Sequence, residues 1–332
     1  MRSKPVDAAK GMAIILVVYG HCLRGLTAGG LVPEDSWLRV TDYVVYSFHM
    51  PLFFFVSGLF IHNSMRRGAV LFWRSRILTI VYPYFLWSVL QGSVQAVLSR
   101  TEATNTAFSF ADLAAILWAP ISPFWFLYAL FFATFAAYVL RRHRPELLCV
   151  LAFAAFLTTD ETMPFILQDI AYGTFYLSLG VLAQERGFIR WLDRAQPVTA
   201  VATAGLFAVA VSMSYWLQLP EHFSLPAAVT GIAASLMLWS VVCRKQSALA
   251  QPIAALGQIS MAVYVMHILA LGLARYALLH VLGVTHLGIL LFAGTVTGVA
   301  IPVIVHAALV RLRLAEMFGL PGETMRPATQ EI

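Results

Sequence analysis

The stretch VDAAKGMAIILVVYGHC, residues 6–22, decides how the rest of the chain is read. It is apolar enough to cross a bilayer, yet it begins with Asp7 and Lys10 and ends with His21. A simple membrane anchor needs none of the three. On a helix, Lys10 and His21 are about three turns and about 16 Å apart, so they share a face, with Asp7 close to the same stripe. Ionisable groups at such depth are costly and face a cavity, a partner or a pathway. On spacing alone, a hydrogen bond from His21 to another helix explains it equally well.

Working outward, the composition has the same character. Hydrophobic residues make up 60% of the chain and charged residues 11%, far from the balance of a soluble domain. Bilayer hydrocarbon offers free backbone groups no partner, so the apolar runs are expected as helices rather than open strands. The fold class is therefore an all-α, polytopic integral membrane bundle. Apolar runs and their breaks give about ten spans, near residues 11–30, 43–62, 77–98, 115–139, 147–166, 170–184, 198–218, 225–243, 257–281 and 287–310. Arg2, Lys4 and Lys10 precede the first run as in a signal peptide. Gly20 and His21 inside it, with no small-x-small cleavage site after it, favour a retained helix.

The net charge of +6 matters less than its distribution. The breaks holding Arg66/Arg67/Arg74/Arg76, Arg141/Arg142/Arg144, Arg186/Arg190/Arg194, Arg244/Lys245 and Arg311/Arg313 all fall on the side of the N-terminus. Arg24, Arg39, Arg100 and Arg275 fall elsewhere. The opposite breaks carry Glu34/Asp35, Glu102/Asp112, Asp160/Glu161/Asp169 and Glu221/His222. This asymmetry predicts that both termini are cytoplasmic. It also explains the basic balance without nucleic acid. Residues 1–315 are expected to form one transmembrane domain and 316–332 a flexible cytoplasmic tail. Cys22, Cys149 and Cys243 read as small core residues, with no disulfide framework and no metal spacing.

Two further spans carry histidine among apolar residues. Ser260, Tyr264 and His267 recur on one helical face, and so do Asp42, Tyr46 and His49, before a kink expected at Pro51. Either face alone reads as a hydrogen-bonded seam; with His21, the three favour a converging polar cavity. The RRGAVLFWRSRILTIVYPYFLW stretch is explained by topology, except that Arg74 and Arg76 sit tight against the start of a span. Guanidinium groups there suit phosphates arriving from the cytoplasm. A neutral buried histidine can take a proton from an alcohol, which is general-base chemistry. The same facts also fit a proton-coupled sugar or small-molecule transporter.

The order of motifs favours the enzyme. VDAAKGMAIILVVYGH, SFHMPLFFFVSG, FWRSRILTIVYPYFLW, PFWFLYALFF and ISMAVYVMHI follow one another across nearly the whole chain. In this the chain resembles the membrane acyltransferase-3 family, and especially its fucose O-acetylase-like branch. The resemblance implies a ten-helix core in a bacterial inner membrane. It implies an acyl group, usually acetyl, taken from cytoplasmic acetyl-CoA, with no metal, and delivered to a hydroxyl of an extracytoplasmic or lipid-linked glycan, with polysaccharide-assembly proteins as further partners. The family's basic-x10-His motif falls on Lys10 and His21, with lysine where the wider family has arginine; its Arg-x-Arg motif falls on Arg74 and Arg76. His21 is then expected as general base or acyl-handling residue, Lys10 and Asp7 as the cytoplasmic end of the donor channel, and Arg74 and Arg76 as holders of the CoA phosphates. His49, Trp125, Tyr264 and His267 are the candidates for stabilising the oxyanion. No appended hydrolase-like domain is expected after the last span, so the chain completes transfer alone or passes the acyl group to a partner.

The remaining polar and small residues have blander readings. His143, His222, His280 and His286 are read as solvated in or near breaks. Gly173 and Gly180 are read as close helix contacts. No phosphate-cradling glycine loop, nucleophile elbow or zinc spacing is present.

Overall fold

The computed structural model describes residues 3–99, 108–159 and 163–322. Arg2, Arg100, Glu102, Asp160, Glu161 and residues 323–332 of the expected tail lie outside them. All regular elements among the described residues are helices. Helix α1 (Lys4–Ala28) carries Pro5 in its first turn, where a missing N–H costs nothing, and runs unbroken past Lys10 and His21. Helix α2 (Leu38–Met65) continues through Pro51. Helix α3 (Ala69–Arg76) passes through a π turn at Ile77–Val81 into α4 (Tyr82–Leu98). That wider turn precedes Pro83, which has no N–H to give to the ladder.

The remaining helices are α5 (Trp125–Val139), α6 (Pro145–Leu157), α7 (Phe165–Glu185), α8 (Phe188–Leu192), α9 (Pro197–Trp216), α10 (Leu225–Arg244), α11 (Ala250–Gln258), α12 (Ser260–Tyr276) and α13 (Leu287–Arg311). Among the described residues, eight helical stretches, with α3 to α4 counted as one, are long and apolar enough to cross a membrane. Where about ten spans were expected, the other two, α5 and α6, are apolar but shorter than that. Both were expected to be longer. Pro120 and Pro123 lie between a 3-10 helix at Phe110–Leu117 and the start of α5, so the span expected from 115 is divided. Helix α6 stops at Leu157, and Pro164 stands ahead of α7. Helix α11 was not foreseen, because its small residues lie in what reads as a break.

Glycines set the closest helix approaches. A Cβ on Gly180 would overlap the Phe55 carbonyl, and one on Gly58 the Leu177 carbonyl, so α7 and α2 meet backbone to backbone. A Cβ on Gly173 would meet the Phe54 ring. The expected role of Gly173 and Gly180 in close packing is thus what the structure shows. Gly257 of α11 abuts the Asp7 carbonyl and Gly11 of α1 abuts that of Ile253, which locks α11 across the first half of α1. Helices α1 and α2 are the most enclosed, whereas α9 and α13 expose Val201, Leu206, Val209, Phe292 and Ile304, as lipid-facing helices do.

The start of the expected tail packs onto the bundle. The Trp87 indole donates to the Phe318 carbonyl at 2.9 Å, His306 Nε2 lies 2.9 Å from the Pro321 carbonyl oxygen, and Leu320 is buried.

Candidate active site

The last third of α1, the first half of α2 and the turns leading into α5, α7 and α10 enclose a cavity of about 670 Å³ at the end of the bundle away from the N-terminus. His21, His49, Trp125 and Tyr264 all line it. The polar faces of three distant spans therefore converge, because each helix turns its one non-apolar stripe inward. His267 lies behind His21, outside the wall, with ring centroids 5.0 Å apart.

The hydrogen bonds sort the candidates. His49 Nδ1 lies 2.6 Å from the Val45 carbonyl oxygen, and His267 Nδ1 lies 2.6 Å from that of Tyr264. A carbonyl only accepts, so both protons are on Nδ1 and each neutral ring has a bare Nε2. The Tyr264 hydroxyl donates to the Pro123 carbonyl. None of the three has a spare hydrogen for an oxyanion. Other wall residues still have hydrogens to offer. The Tyr46 hydroxyl is buried with no partner among the described residues, and its ring sits 4.8 Å from His49 and 6.3 Å from His21. Trp125 brings an indole N–H to the same wall.

An ion cluster guards the mouth. Arg24, one turn beyond His21, holds Asp42 at 2.9 Å and Glu221 at 2.8 Å, and its guanidinium carbon stands 3.2 Å from the centroid of the Tyr46 ring. One cation thus faces two carboxylates. Burial would raise the Glu221 carboxyl, but hydrogen bonds, Arg24's among them, hold it below its ordinary value. His222 corrects its reading as a solvated loop residue: it lines the cavity, its ring 5.3 Å from that of Tyr172, and burial lowers its basicity. The sequence held two signals for this cluster, since Arg24 breaks the distribution of basic residues and Asp42 shares a face with Tyr46 and His49. Glu221 and His222 gave none.

The other expected residues stay at the opposite end. Asp7 and Lys10 lie on α1 toward the N-terminus, where Gln258 Nε2 approaches Asp7 Oδ2 at 3.5 Å. Arg74 is exposed on α3; Arg76 packs with its guanidinium carbon 5.2 Å from the centroid of the Phe72 ring and has a buried Nε with no hydrogen-bond partner among the described residues. The site residues thus form two groups joined by α1.

Comparison with known proteins bears on the chain as a whole. Two curated relatives are similar over part of their length. The nodulation protein NolL of Mesorhizobium japonicum is 29% identical over 133 residues, covering 39% of this chain and 34% of that protein. NolL of Sinorhizobium fredii is 30% identical over 130 residues, covering 37% and 32%. The chain thus matches about a third of each relative's length. No solved structure matches. A family model described as an acyltransferase domain matches residues 4–306, nearly the whole bundle, and on that match the chain belongs to the acyltransferase-3 family.

Proposed function

We propose that the chain is a membrane O-acyltransferase of the inner membrane, with both termini cytoplasmic, that moves an acetyl group from acetyl-CoA to a hydroxyl of an extracytoplasmic or lipid-linked sugar. The observation that carries this reading is His21, set on the wall of a cavity that also presents the Tyr46 hydroxyl and the Trp125 indole. A sugar hydroxyl bound beside His21 gives its proton to the imidazole as its oxygen attacks the thioester carbonyl. Tyr46 and Trp125 would hydrogen-bond the developing oxyanion. Collapse breaks the C–S bond, and the thiolate takes the proton back from His21, giving ester and free CoA.

The donor enters from the other end. Arg74 and Arg76 would hold its phosphates, Arg76 through an Nε that has no hydrogen-bond partner among the described residues. Lys10 and Asp7 would line the path along α1. Replacing both arginines by alanine is expected to raise the KM for acetyl-CoA by 10-fold or more, by roughly 1.4 kcal/mol per factor of ten, with acceptor KM unchanged. Titrating each substrate separately checks this; an unchanged donor KM leaves the arginines as topology signals only.

The mouth also constrains the acceptor. Arg24 is already matched by two carboxylates, and Tyr46, Tyr172, Trp118 and Trp125 supply flat apolar faces. That lining suits an uncharged sugar and repels an anionic one. Labelled acetyl-CoA offered with a panel of neutral and uronic-acid oligosaccharides is expected to label the neutral members at least 10-fold faster. Equal labelling of both classes contradicts this account of the mouth, and no labelling of any member contradicts the transferase.

A further inference from the structure

Behind His21 a second imidazole presents a nitrogen that nothing in the described structure uses. His267 is fully buried and is not part of the cavity wall, so substrate does not reach it. Its Nδ1 proton is held by the Tyr264 carbonyl, which leaves Nε2 of the neutral ring as a bare acceptor. That Nε2 is buried without a partner among the described residues. Leaving a buried acceptor unmatched is costly. The polar ring next to it is His21, with centroids 5.0 Å apart and planes tilted by 55°. Such a separation corresponds to about one N–H···N bond, roughly 3 Å, between facing ring edges. The two ring flips of a histidine have nearly the same shape, so His21 can turn a nitrogen toward His267 without displacing its neighbours.

We propose that His267 is the positioning residue of the site: its Nε2 accepts the N–H of His21 and fixes the tautomer in which the other His21 nitrogen is bare toward the cavity. This rests on the reading of His21 as the base. Without such an acceptor, the His21 proton distributes over both nitrogens, and half of the ring states offer the substrate a hydrogen instead of a lone pair. With it, the base is preset. When the sugar O–H breaks, its proton goes to the cavity-side nitrogen of His21, and the resulting imidazolium keeps its other N–H on His267 as a charge-assisted bond. When the C–S bond breaks, the same cavity-side proton passes to the thiolate and the starting tautomer returns. His267 stays neutral throughout, in the logic of an orienting group behind a catalytic histidine.

The test compares wild type, His267→Leu and His267→Gln in proteoliposomes, with 15N-labelled histidine. The His21 signals are assigned by their loss in His21→Gln. Wild type is expected to show a single His21 tautomer whose N–H is hydrogen-bonded to nitrogen. His267→Leu is expected to show mixed tautomers and a kcat lowered roughly 10²-fold, with the KM for acetyl-CoA unchanged. His267→Gln, whose amide oxygen accepts the same N–H, is expected to restore the single tautomer and most of the rate. An unchanged His21 tautomer in His267→Leu overturns the proposal, as does a His267→Gln protein no better than His267→Leu. If His267→Leu does not assemble, the wild-type spectrum and His267→Gln decide: a wild-type His21 lacking an N–H···N bond removes the pair. The tautomer measurement needs no turnover, so absence of transfer by wild type with a single ordered tautomer would sink the base reading and leave the pair standing.

Discussion

His21→Ala is expected to lower ester formation by about 10²- to 10⁴-fold, the range that a positioned general base supplies. The bundle should survive the change. His21 is largely buried but lines the cavity, and its ring contacts are with His267 and Tyr46, so removing it enlarges an existing space rather than opening a void in close-packed core. Binding of acetyl-CoA should also persist, because the donor-side residues lie about three turns of α1 away. Initial rates of label transfer, set beside donor binding and the elution profile of the purified variant, separate these effects. A His21→Ala protein that elutes normally and transfers at the normal rate removes His21 from the chemistry.

The second large effect concerns stability. Gly180→Val is expected to prevent α7 from reaching α2, because even a Cβ there overlaps the Phe55 carbonyl, and backbone cannot rotate aside as a side chain can. Overpacking of this kind costs about 3 kcal/mol or more where rigid groups collide. Close glycine contacts are also the means by which membrane helices gain dispersion without a hydrophobic drive. The expected result is a loss of monodisperse protein and a large drop in the melting midpoint. Gly205→Ala on α9 serves as the control: a Cβ there meets nothing within 4 Å, and alanine favours helix. If Gly180→Val melts with Gly205→Ala, α2 and α7 are not held by this contact.

The sequence revealed the bundle because lipid imposes one rule on every residue in a span. Ten apolar runs could be counted without knowing their partners, and a polar stripe on an apolar helix has to face inward. That rule located His21, His49 and Tyr264 on one cavity. It failed where local chemistry interrupts a run. Pro120 and Pro123 cut α5 short, and α11, built from small residues, packs sideways on α1 through Gly11 and Gly257. It failed again where function depends on a distant turn. Glu221 and His222 look like any short break between spans; only the fold brings Glu221 to Arg24. The oxyanion candidates show a third limit. Residue type made Tyr264 and His267 plausible donors, but their hydrogens are spent on backbone carbonyls, while Tyr46, seen in the sequence only as part of a helical stripe, has a hydroxyl left free.

Both the transferase reading and the alternative of a proton-coupled transporter place polar groups inside a membrane bundle, and one experiment separates them. Proteoliposomes would hold a neutral oligosaccharide inside, with acyl-labelled acetyl-CoA supplied outside only, and protein inserted so that the arginine-bearing end faces the donor. Label is expected in an alkali-labile ester on the enclosed sugar, with release of one free CoA per ester, and is expected to vanish in His21→Ala. Sugar that crosses the membrane in step with a proton gradient, carrying no ester and leaving acetyl-CoA intact, would contradict the account.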